Sequence, residues 1–199
     1  MLRIQEEIEP GCLLIASPMV PMDHHFLRTV ILITEHNSSD GSSGFVLNRP
    51  LSAGQQAQFA EILTDEKQDS TFSYGGPVGL DHSFCLIDSS SPLAADETLP
   101  EGREVTSGIL QPDDFGEVIE GAKGNTVQHR RLMFFRGYAG WSVGQLASEL
   151  AEEVWLLVSG SDLPRRLSEV DNLWSQLLLD LPDSRYHLWS QWPIDCQVN

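Results

Sequence analysis

Positive charge is scarce in this sequence. Lys67 and Lys123 are its only lysines, and 12 basic residues stand against 29 acidic ones, which gives a net charge of -17 at pH 7. Proteins that bind phosphates by releasing counterions need clustered Lys and Arg. The composition therefore disfavours unaided binding to nucleic acid or to an anionic membrane surface, and it favours association with basic partners.

Cysteine and long apolar runs are also scarce. The three cysteines, Cys12, Cys85 and Cys196, lie far apart and form no C-x-x-C pair, so the sequence predicts neither a disulfide framework nor a zinc site. The apolar run at residues 12–16 is too short for a membrane span or a signal-peptide core, and the residues before it are acidic. We expect a cytoplasmic protein without a cofactor, built as one domain over residues 1–199.

The apolar residues that are present predict short strands and a few helices. Segments rich in aliphatic and β-branched residues predict strands at 12–16, 29–34, 44–47, 82–87, 132–135 and 154–158, the second and third forming a hairpin. Helical spacing predicts helices at 53–65, 113–120, 143–153 and 163–181. Ser52 is the expected N-cap of the first helix, and Pro112 suits the first turn of the second.

The segment 136–146 (RGYAGWSVGQL) carries the strongest single signal. Three glycines and two aromatic residues there connect an apolar strand to a helix. Glycine lets a backbone bend at positive φ or pass close to a neighbouring chain, so this spacing predicts a shaped turn that contributes to a functional surface.

Several ordered motifs together resemble the bacterial YqgE/AlgH family. They are GCLLIASP at 11–18, Asp23, Phe26, RTVIL at 28–32, GFVLNRPL at 44–51, GGPV at 75–78, GYAGW at 137–141 and GQL at 144–146. The resemblance implies an α+β fold with a mainly antiparallel, partly barrel-like sheet surrounded by helices. Members carry the label of a transcriptional regulator, which implies no DNA-binding element.

This chain departs from the pattern of that family at three places. Ser42-Ser43 stands where a Gly-Ala-Met sequence usually precedes the second hairpin strand, and Ala147 replaces the acid that commonly follows Gly-Gln-Leu. The position of Ser142 is usually filled by a variable small residue, often glycine. Because a nucleophile is not optional, this variability argues against a catalytic Ser142.

Ser142 nevertheless lies in a formal match to the nucleophile elbow G-x-S-x-G, at residues 140–144. Asp162 or Asp183, followed by His187, completes the Ser-acid-His order of α/β-hydrolases. The predicted hairpins provide no parallel sheet beneath the turn, however. We interpret Ser142 as a helix cap whose hydroxyl accepts a backbone N–H, with a Ser142 hydrolase as the alternative.

Histidines near the first long strand raise the question of a metal site. His24, His25 and His36, with Asp23 and Glu35 beside them, offer nitrogen and oxygen ligands. Adjacent histidines in an extended chain point to opposite faces, and no H-x-x-x-H pair is present. We therefore expect no metal site here.

Arginine is the more selective signal, because positive charge is rare. Arg28, Arg49 and Arg136 each border an apolar strand, where an unpaired charge is costly. A guanidinium can hold a carboxylate or phosphate through two hydrogen bonds, so a pocket formed by Arg28, Asn48, Arg49 and the turn at 75–77 would suit a small anion. The alternative is internal pairing of these arginines with Asp23, Glu35 or Glu149.

The leading hypothesis is a cytoplasmic regulatory or adaptor protein, without catalysis, that binds a small anionic ligand or a protein partner. The predicted binding residues are Arg28, Asn48, Arg49, Pro50, Gly75, Gly76, Pro77, Tyr138, Gly140, Trp141 and Gln145, although Tyr138 and Trp141 also suit core packing. A hydrolase using Ser142 and direct DNA binding are the alternatives. Direct DNA binding is disfavoured because Arg165 and Arg166 lie on a predicted helix that is otherwise acidic or apolar.

Overall fold

The computed structural model describes residues 2–20, 25–60, 69–127 and 129–191. Within them the strands are β1 Cys12–Ala16, β2 Val30–Asn37, β3 Gly41–Val46, β4 Ser70–Tyr74, β5 Val78–Asp88, β6 Gly102–Thr106, β7 Ile109–Pro112, β8 Leu132–Trp141 and β9 Trp155–Ser159. They form one sheet in the order β6-β7-β5-β8-β3-β2-β1-β9, with β4 beside β8. Every pair is antiparallel except β4–β8, so the predicted α+β fold with a mainly antiparallel sheet is confirmed.

Helices cover both faces of this sheet. They are α1 Ala53–Ala60, α2 Phe115–Lys123, α3 Gln145–Ala151, α4 Leu163–Arg166, a 3₁₀-helix Leu167–Asn172, α5 Leu173–Leu179 and α6 Ser184–Ser190. No helix in the described ranges is long and apolar enough to span a bilayer.

Strand β8 shows how the sheet divides the core. Leu132 and Phe134 join an apolar cluster under α1 and α2, whereas Met133 and Phe135 face the larger cluster under α3 and α5. Successive side chains of a strand point to opposite faces, so β8 contributes to both clusters. Burial on both faces explains its continuous apolar run.

The chain crosses β8 at the glycine-rich turn 75–77. Along one edge β8 pairs first with β4 and then with β3, and along the other edge it pairs with β5. The turn between β4 and β5 therefore passes over β8. A Cβ on Gly75 would lie 2.2 Å from the carbonyl oxygen of Gly137, and one on Gly76 would lie 2.2 Å from the carbonyl carbon of Tyr138. Glycine is required because two backbones touch here.

The sheet curls so that its first strand in spatial order, β6, returns towards β1 and β2. A Cβ on Gly11, which precedes β1, would lie 2.6 Å from the carbonyl oxygen of Val105 in β6. Arg103 of β6 also comes within 3.9 Å of Glu35 in β2. The result is the partly closed, half-barrel shape expected from the motifs.

The structure confirms strand 12–16 and the β2–β3 hairpin, and it corrects other boundaries. Pro112 ends β7 rather than starting a helix, and the carboxylate of Asp114 caps α2 by accepting the N–H of Gly116 at 2.7 Å. Strand β8 continues to Trp141 because Gly137, with φ of 68°, accommodates the crossing without ending the strand. The region predicted as one helix at 163–181 consists of α4, the 3₁₀-helix and α5. The helix predicted at 143–153 begins at Gln145. The end predicted at residue 65 lies outside the described residues.

Candidate functional site

The structure separates the predicted binding residues into two places. Arg28, Asn48 and Arg49 meet where the loop before β2 contacts the segment after β3. Tyr138, Gly140 and Trp141 instead line a groove at the end of β8. The turn at 75–77 is the backbone crossing described above.

Asn48 organises the loop that carries Arg28. Its Oδ1 accepts the N–H of Val30 at 2.8 Å, and its Nδ2 donates to the carbonyl oxygen of Arg28 at 2.9 Å. Arg28 has a φ of 56°, a left-handed conformation that is uncommon outside glycine. Asn48 therefore binds the backbone on both sides of Thr29, directly after Arg28, and its amide is engaged with the protein rather than turned towards a ligand.

Arg28 and Arg49 are close enough for the charge of one to act on the other, and we call this pair the arginine cluster. The Arg28 guanidinium stacks on Trp174, 4.6 Å from the ring centroid. Arg49 donates from Nη2 to the carbonyl oxygen of Leu27 at 2.6 Å. Burial, and then the positive charge of Arg28, lower the pKa of Arg49. The fold thus brings two positive charges together in a strongly acidic chain.

Tyr74 and His25 border the arginine cluster. The N–H of Tyr74 donates to the carbonyl oxygen of Arg49 at 2.7 Å, and the ring of His25 stacks on that of Tyr74 with centroids 6.3 Å apart. Burial raises the pKa of Tyr74. Pro50, which follows Arg49, pairs with Ser73 in an isolated bridge.

Arg136 lies in β8, and its side chain bonds to the neighbouring strand β5. Its Nε donates to the carbonyl oxygen of Leu80 at 2.8 Å, in β5 beyond the crossing. A backbone carbonyl therefore supplies one partner for this charge, as the prediction that it needs a partner requires.

The groove at the end of β8 has a volume of about 630 Å³. This volume lies within the usual range of about 300–1,000 Å³ for ligand sites. Its residues come from the end of β8, the tip of the β2–β3 hairpin, β6, the start of β5 and the segment before β1. Among them are Glu35, His36, Asp40, Ser42, Ser43, Val78, Arg103, Tyr138, Gly140 and Trp141.

Polar side chains of the hairpin tip are tied to one another. Nδ1 of His36 lies 2.8 Å from Oγ of Ser42, and Oγ of Ser43 donates to Oε2 of Glu35 at 3.1 Å. Ser42 and Ser43, the departure from the family pattern, thus support the neighbouring strand across the hairpin. Arg103 lies 3.9 Å from Glu35, and both side chains are exposed.

A shared carboxylate holds the tryptophan of the groove. Oε2 of Glu149 accepts the indole N–H of Trp141 at 2.8 Å and that of Trp155 at 2.7 Å, while Oε1 accepts Nε2 of Gln145 at 2.9 Å. Gln145, predicted as a binding residue, therefore acts in the network behind the groove. Glu149, considered only as a partner for arginine, bonds to tryptophan instead.

Ser142 donates its hydroxyl rather than accepting with it, so the predicted form of the cap is wrong. Both its N–H and its hydroxyl donate to Oε1 of Gln145, each at 3.1 Å. Ser52 and Gln55 repeat this arrangement at 3.2 and 2.8 Å. The glutamine three residues on satisfies the serine N–H, as in a capping box.

The partners proposed for a catalytic Ser142 are engaged elsewhere. The ring of His187 contacts the carbonyl oxygen of Leu181 at 3.2 Å, and Asp183 caps α6 by accepting the N–H of Arg185. In the described part of the chain, no hydrogen bond joins Ser142 to His187 or to an acid.

The histidines considered as metal ligands are not gathered into a site within the described ranges. His25 stacks on Tyr74 and His36 contacts Ser42, whereas Asp23 and His24 lie outside those ranges. No group of three or more His, Cys, Asp or Glu side chains in the described residues is arranged to hold a metal ion.

Sequence reasoning missed the most buried ion pair among the described residues. Nη2 of Arg130 donates to Oε2 of Glu97 at 2.8 Å, and Arg130 also donates to the carbonyl oxygens of Ser91 and Pro92 at 2.6 and 2.9 Å. Arg130 borders an apolar strand just as the chosen arginines do, and this signal was available in the sequence. Its partner lies in a loop, where spacing gives no indication of pairing.

Comparisons with known proteins agree on one family. The AlgH-like family profile matches residues 13–184. A UPF0301 protein of Mycolicibacterium smegmatis is 32% identical over 200 residues, covering 96% of this chain and 92% of its own. A UPF0301 protein of Chlorobaculum tepidum is 31% identical over 172 residues, covering 86% of each chain.

Two solved structures are also similar. A crystal structure of a Corynebacterium diphtheriae protein superposes with a TM-score of 0.73 at 21% identity, covering 94% of each chain, and supports the fold. The solution structure of AlgH from Pseudomonas aeruginosa gives a TM-score of 0.55 at 27% identity, covering 80% of this chain and 83% of that one. This chain belongs to the AlgH-like family.

Proposed function

We propose that this protein is a regulatory binding protein that holds a small anion, with a carboxylate or phosphate group, at the arginine cluster. The observation that carries this proposal is the position of Arg49. Arg49 is half buried and close enough to Arg28 for the charge of Arg28 to lower its pKa, and no ion pair joins Arg49 to a carboxylate of the described residues. A bound anion would offset the cost of burying the positive charge of Arg49.

The surroundings of the cluster favour such a ligand because they fix both guanidinium groups before it arrives. Trp174 holds that of Arg28 by stacking, and the carbonyl oxygen of Leu27 holds that of Arg49. A guanidinium presents five N–H donors in a rigid fork, which matches the oxygens of carboxylates and phosphates. Side chains held in place by the protein lose less entropy on binding.

Direct DNA binding is less well supported. The helix that carries Arg165 and Arg166 has only four residues, and Arg166 donates to Asp180 at 2.6 Å. A recognition helix needs several side chains along one exposed face. Regulation through a ligand therefore suits this chain better than sequence-specific DNA binding.

We also propose that the protein lies in the cytoplasm. The free thiols Cys12 and Cys85 suit that reducing compartment.

The test is a thermal-shift and calorimetric titration at constant ionic strength with phosphate, acetate, nucleotides and phosphorylated metabolites. A ligand that binds the native state raises the melting temperature by mass action. We expect the shift to disappear in Arg49→Gln and to persist in Arg185→Gln, which removes an exposed positive charge on α6. Arg49→Lys keeps the charge but loses the fork, and it should bind more weakly than the wild type.

Absence of a shift with every anion would overturn the proposal. An equal shift in Arg49→Gln and in the wild type would do so as well, because the anion would then bind elsewhere. Circular dichroism of Arg49→Gln checks that loss of the bond to Leu27 leaves the fold intact.

A further inference from the structure

The groove at the end of β8 differs from the arginine cluster in charge and in shape. We propose that it docks a positively charged segment of a partner protein. This inference is independent of the anion site, because it rests on other residues and on the opposite sign of charge.

Carboxylates set the character of the groove. Glu35 and Asp40 lie on the hairpin side, and the only arginine or lysine among the described lining residues is Arg103. The 3.9 Å contact between Arg103 and Glu35 is long and exposed, so it is weak and easily exchanged. A lysine or arginine of a partner would take the place of Arg103 beside Glu35.

Two aromatic residues of β8 also line the groove, the half-buried Tyr138 and Trp141, which is only 6% exposed. Tyr138 packs edge-on against Phe84, with centroids 5.9 Å apart, and Trp141 is fixed by its bond to Glu149. A Cβ on Gly140 would lie 3.2 Å from Cε2 of Tyr138, so the tyrosine ring lies over the glycine. A flat aromatic surface beside carboxylates is the combination that binds an ammonium or guanidinium group.

Apolar side chains of β5 continue the surface beside β8. Val78 lines the groove and is 40% exposed, and Leu80 two residues later is 46% exposed. Isolated exposed apolar residues are ordinary, but here they adjoin a polar groove with an aromatic wall. An apolar centre beside charged groups is the usual anatomy of a protein interface.

The charge of the chain decides between possible occupants. A second copy of the chain would also carry a net charge of -17, so the two copies would repel each other. A basic partner would be attracted over the whole acidic surface, and contacts in the groove would then select it. The occupant that fits is therefore a Lys- or Arg-containing segment of a different protein.

The experiment measures binding of fluorescent decapeptides by anisotropy. One peptide carries lysines among apolar residues, a second has every Lys replaced by Gln, and a third has every Lys replaced by Glu. The double variant E35Q/D40N is compared with E117Q/E120Q, which removes the same charge from the exposed surface of α2. Tyr138→Leu tests the aromatic wall.

We expect the lysine peptide alone to bind, with a dissociation constant that rises with salt. E35Q/D40N should weaken binding by about tenfold, the loss expected for two partly exposed ion pairs, and Tyr138→Leu should weaken it further. E117Q/E120Q should bind like the wild type. Thermal unfolding of each variant confirms that its fold is retained.

Three results would overturn the proposal. Equal weakening by both double variants would show attraction to net charge alone. Binding of the Gln or Glu peptide as tightly as the Lys peptide would exclude charge recognition. Sedimentation showing a dimer that E35Q/D40N strengthens would assign the groove to a second copy of the chain.

Discussion

Glu97 and Arg130 form an ion pair 2.8 Å long in which both side chains are almost fully buried, 1% and 2% exposed respectively. Backbone groups make further polar contacts with the pair: Glu97 accepts the N–H groups of Ala94 and His129, and Arg130 donates to carbonyl oxygens of the loop before Glu97. The pair ties that loop to the residues leading into β8. Each charge is tolerated in the interior only because the other is present.

Arg130→Met should therefore destabilise the protein by about 3–5 kcal/mol, because it leaves the carboxylate of Glu97 buried and uncompensated. The double variant Arg130→Met/Glu97→Leu should recover much of this loss. Arg131→Met is the matched control, since its partner Asp69 is exposed and the pair contributes about 1 kcal/mol or less. Urea unfolding measures all three, and equal losses for Arg130→Met and Arg131→Met would contradict the expectation.

The pH dependence of stability should report the same carboxylate. Burial by itself raises the pKa of Glu97, but the N–H of Ala94, the guanidinium of Arg130 and the N–H of His129 together outweigh it, and the pKa is lowered. Its contribution to stability is therefore complete above the unfolded pKa of about 4.3 and is lost as the pH falls through the lower folded value.

The free energy of unfolding is measured for the wild type and Glu97→Gln between about pH 6 and about pH 3. The difference between the two proteins should become smaller as the pH falls. Parallel profiles for the two proteins over that interval would show that Glu97 titrates alike in the folded and unfolded states.

Gly75→Ala should destabilise the protein by about 1–3 kcal/mol or more, because its Cβ would overlap the carbonyl oxygen of Gly137 where the chain crosses β8. Gly54→Ala is the control. A Cβ at Gly54, within α1, meets no atom within 4 Å, and the change should stabilise the protein by up to about 1 kcal/mol. Chemical denaturation compares the two, and a Gly75→Ala protein as stable as Gly54→Ala would refute the crossing argument.

Glu149→Ala should loosen the wall of the groove. It removes the acceptor shared by the buried residues Trp141 and Trp155. Each indole N–H left without a partner should lower the stability of the protein by about 1–3 kcal/mol. Near-ultraviolet circular dichroism should lose tryptophan signal. Glu152→Ala, which removes an exposed acid bonded only to Ser148, should preserve both the signal and the stability.

The resemblance to the family implied the fold class, and apolar patterns predicted the strands that lie in the core. The patterns failed for strands that have few apolar residues. Strand β1 is buried at every residue and was found without error. Strand β4, STFSY, is mainly polar, and β6, GREVT, lies at the sheet edge with two charged residues, so neither has the apolar run that marks a core strand. Their positions depend on distant partners.

The candidate sites show the same limit. Arg28, Asn48 and Arg49 were predicted together from two motifs, on the ground that a charge beside an apolar strand needs a partner, and in the structure they interact with one another. The role of Asn48 in holding the backbone of Arg28 and Val30 follows only from the three-dimensional path of the loop. The groove arises from the curl of the sheet, which brings Arg103 to Glu35, and no local pattern encodes that approach.

The position of β8 in the chain has a consequence for synthesis. Strands β3, β4 and β5 all pair with β8, yet each is translated well before residue 132. If translation pauses before residue 132, then β3, β4 and β5 all lack the strand with which they pair. Unpaired strand edges of this kind can associate with other chains. The sheet is completed only when a strand from the last third of the polypeptide emerges and takes its place among strands made earlier.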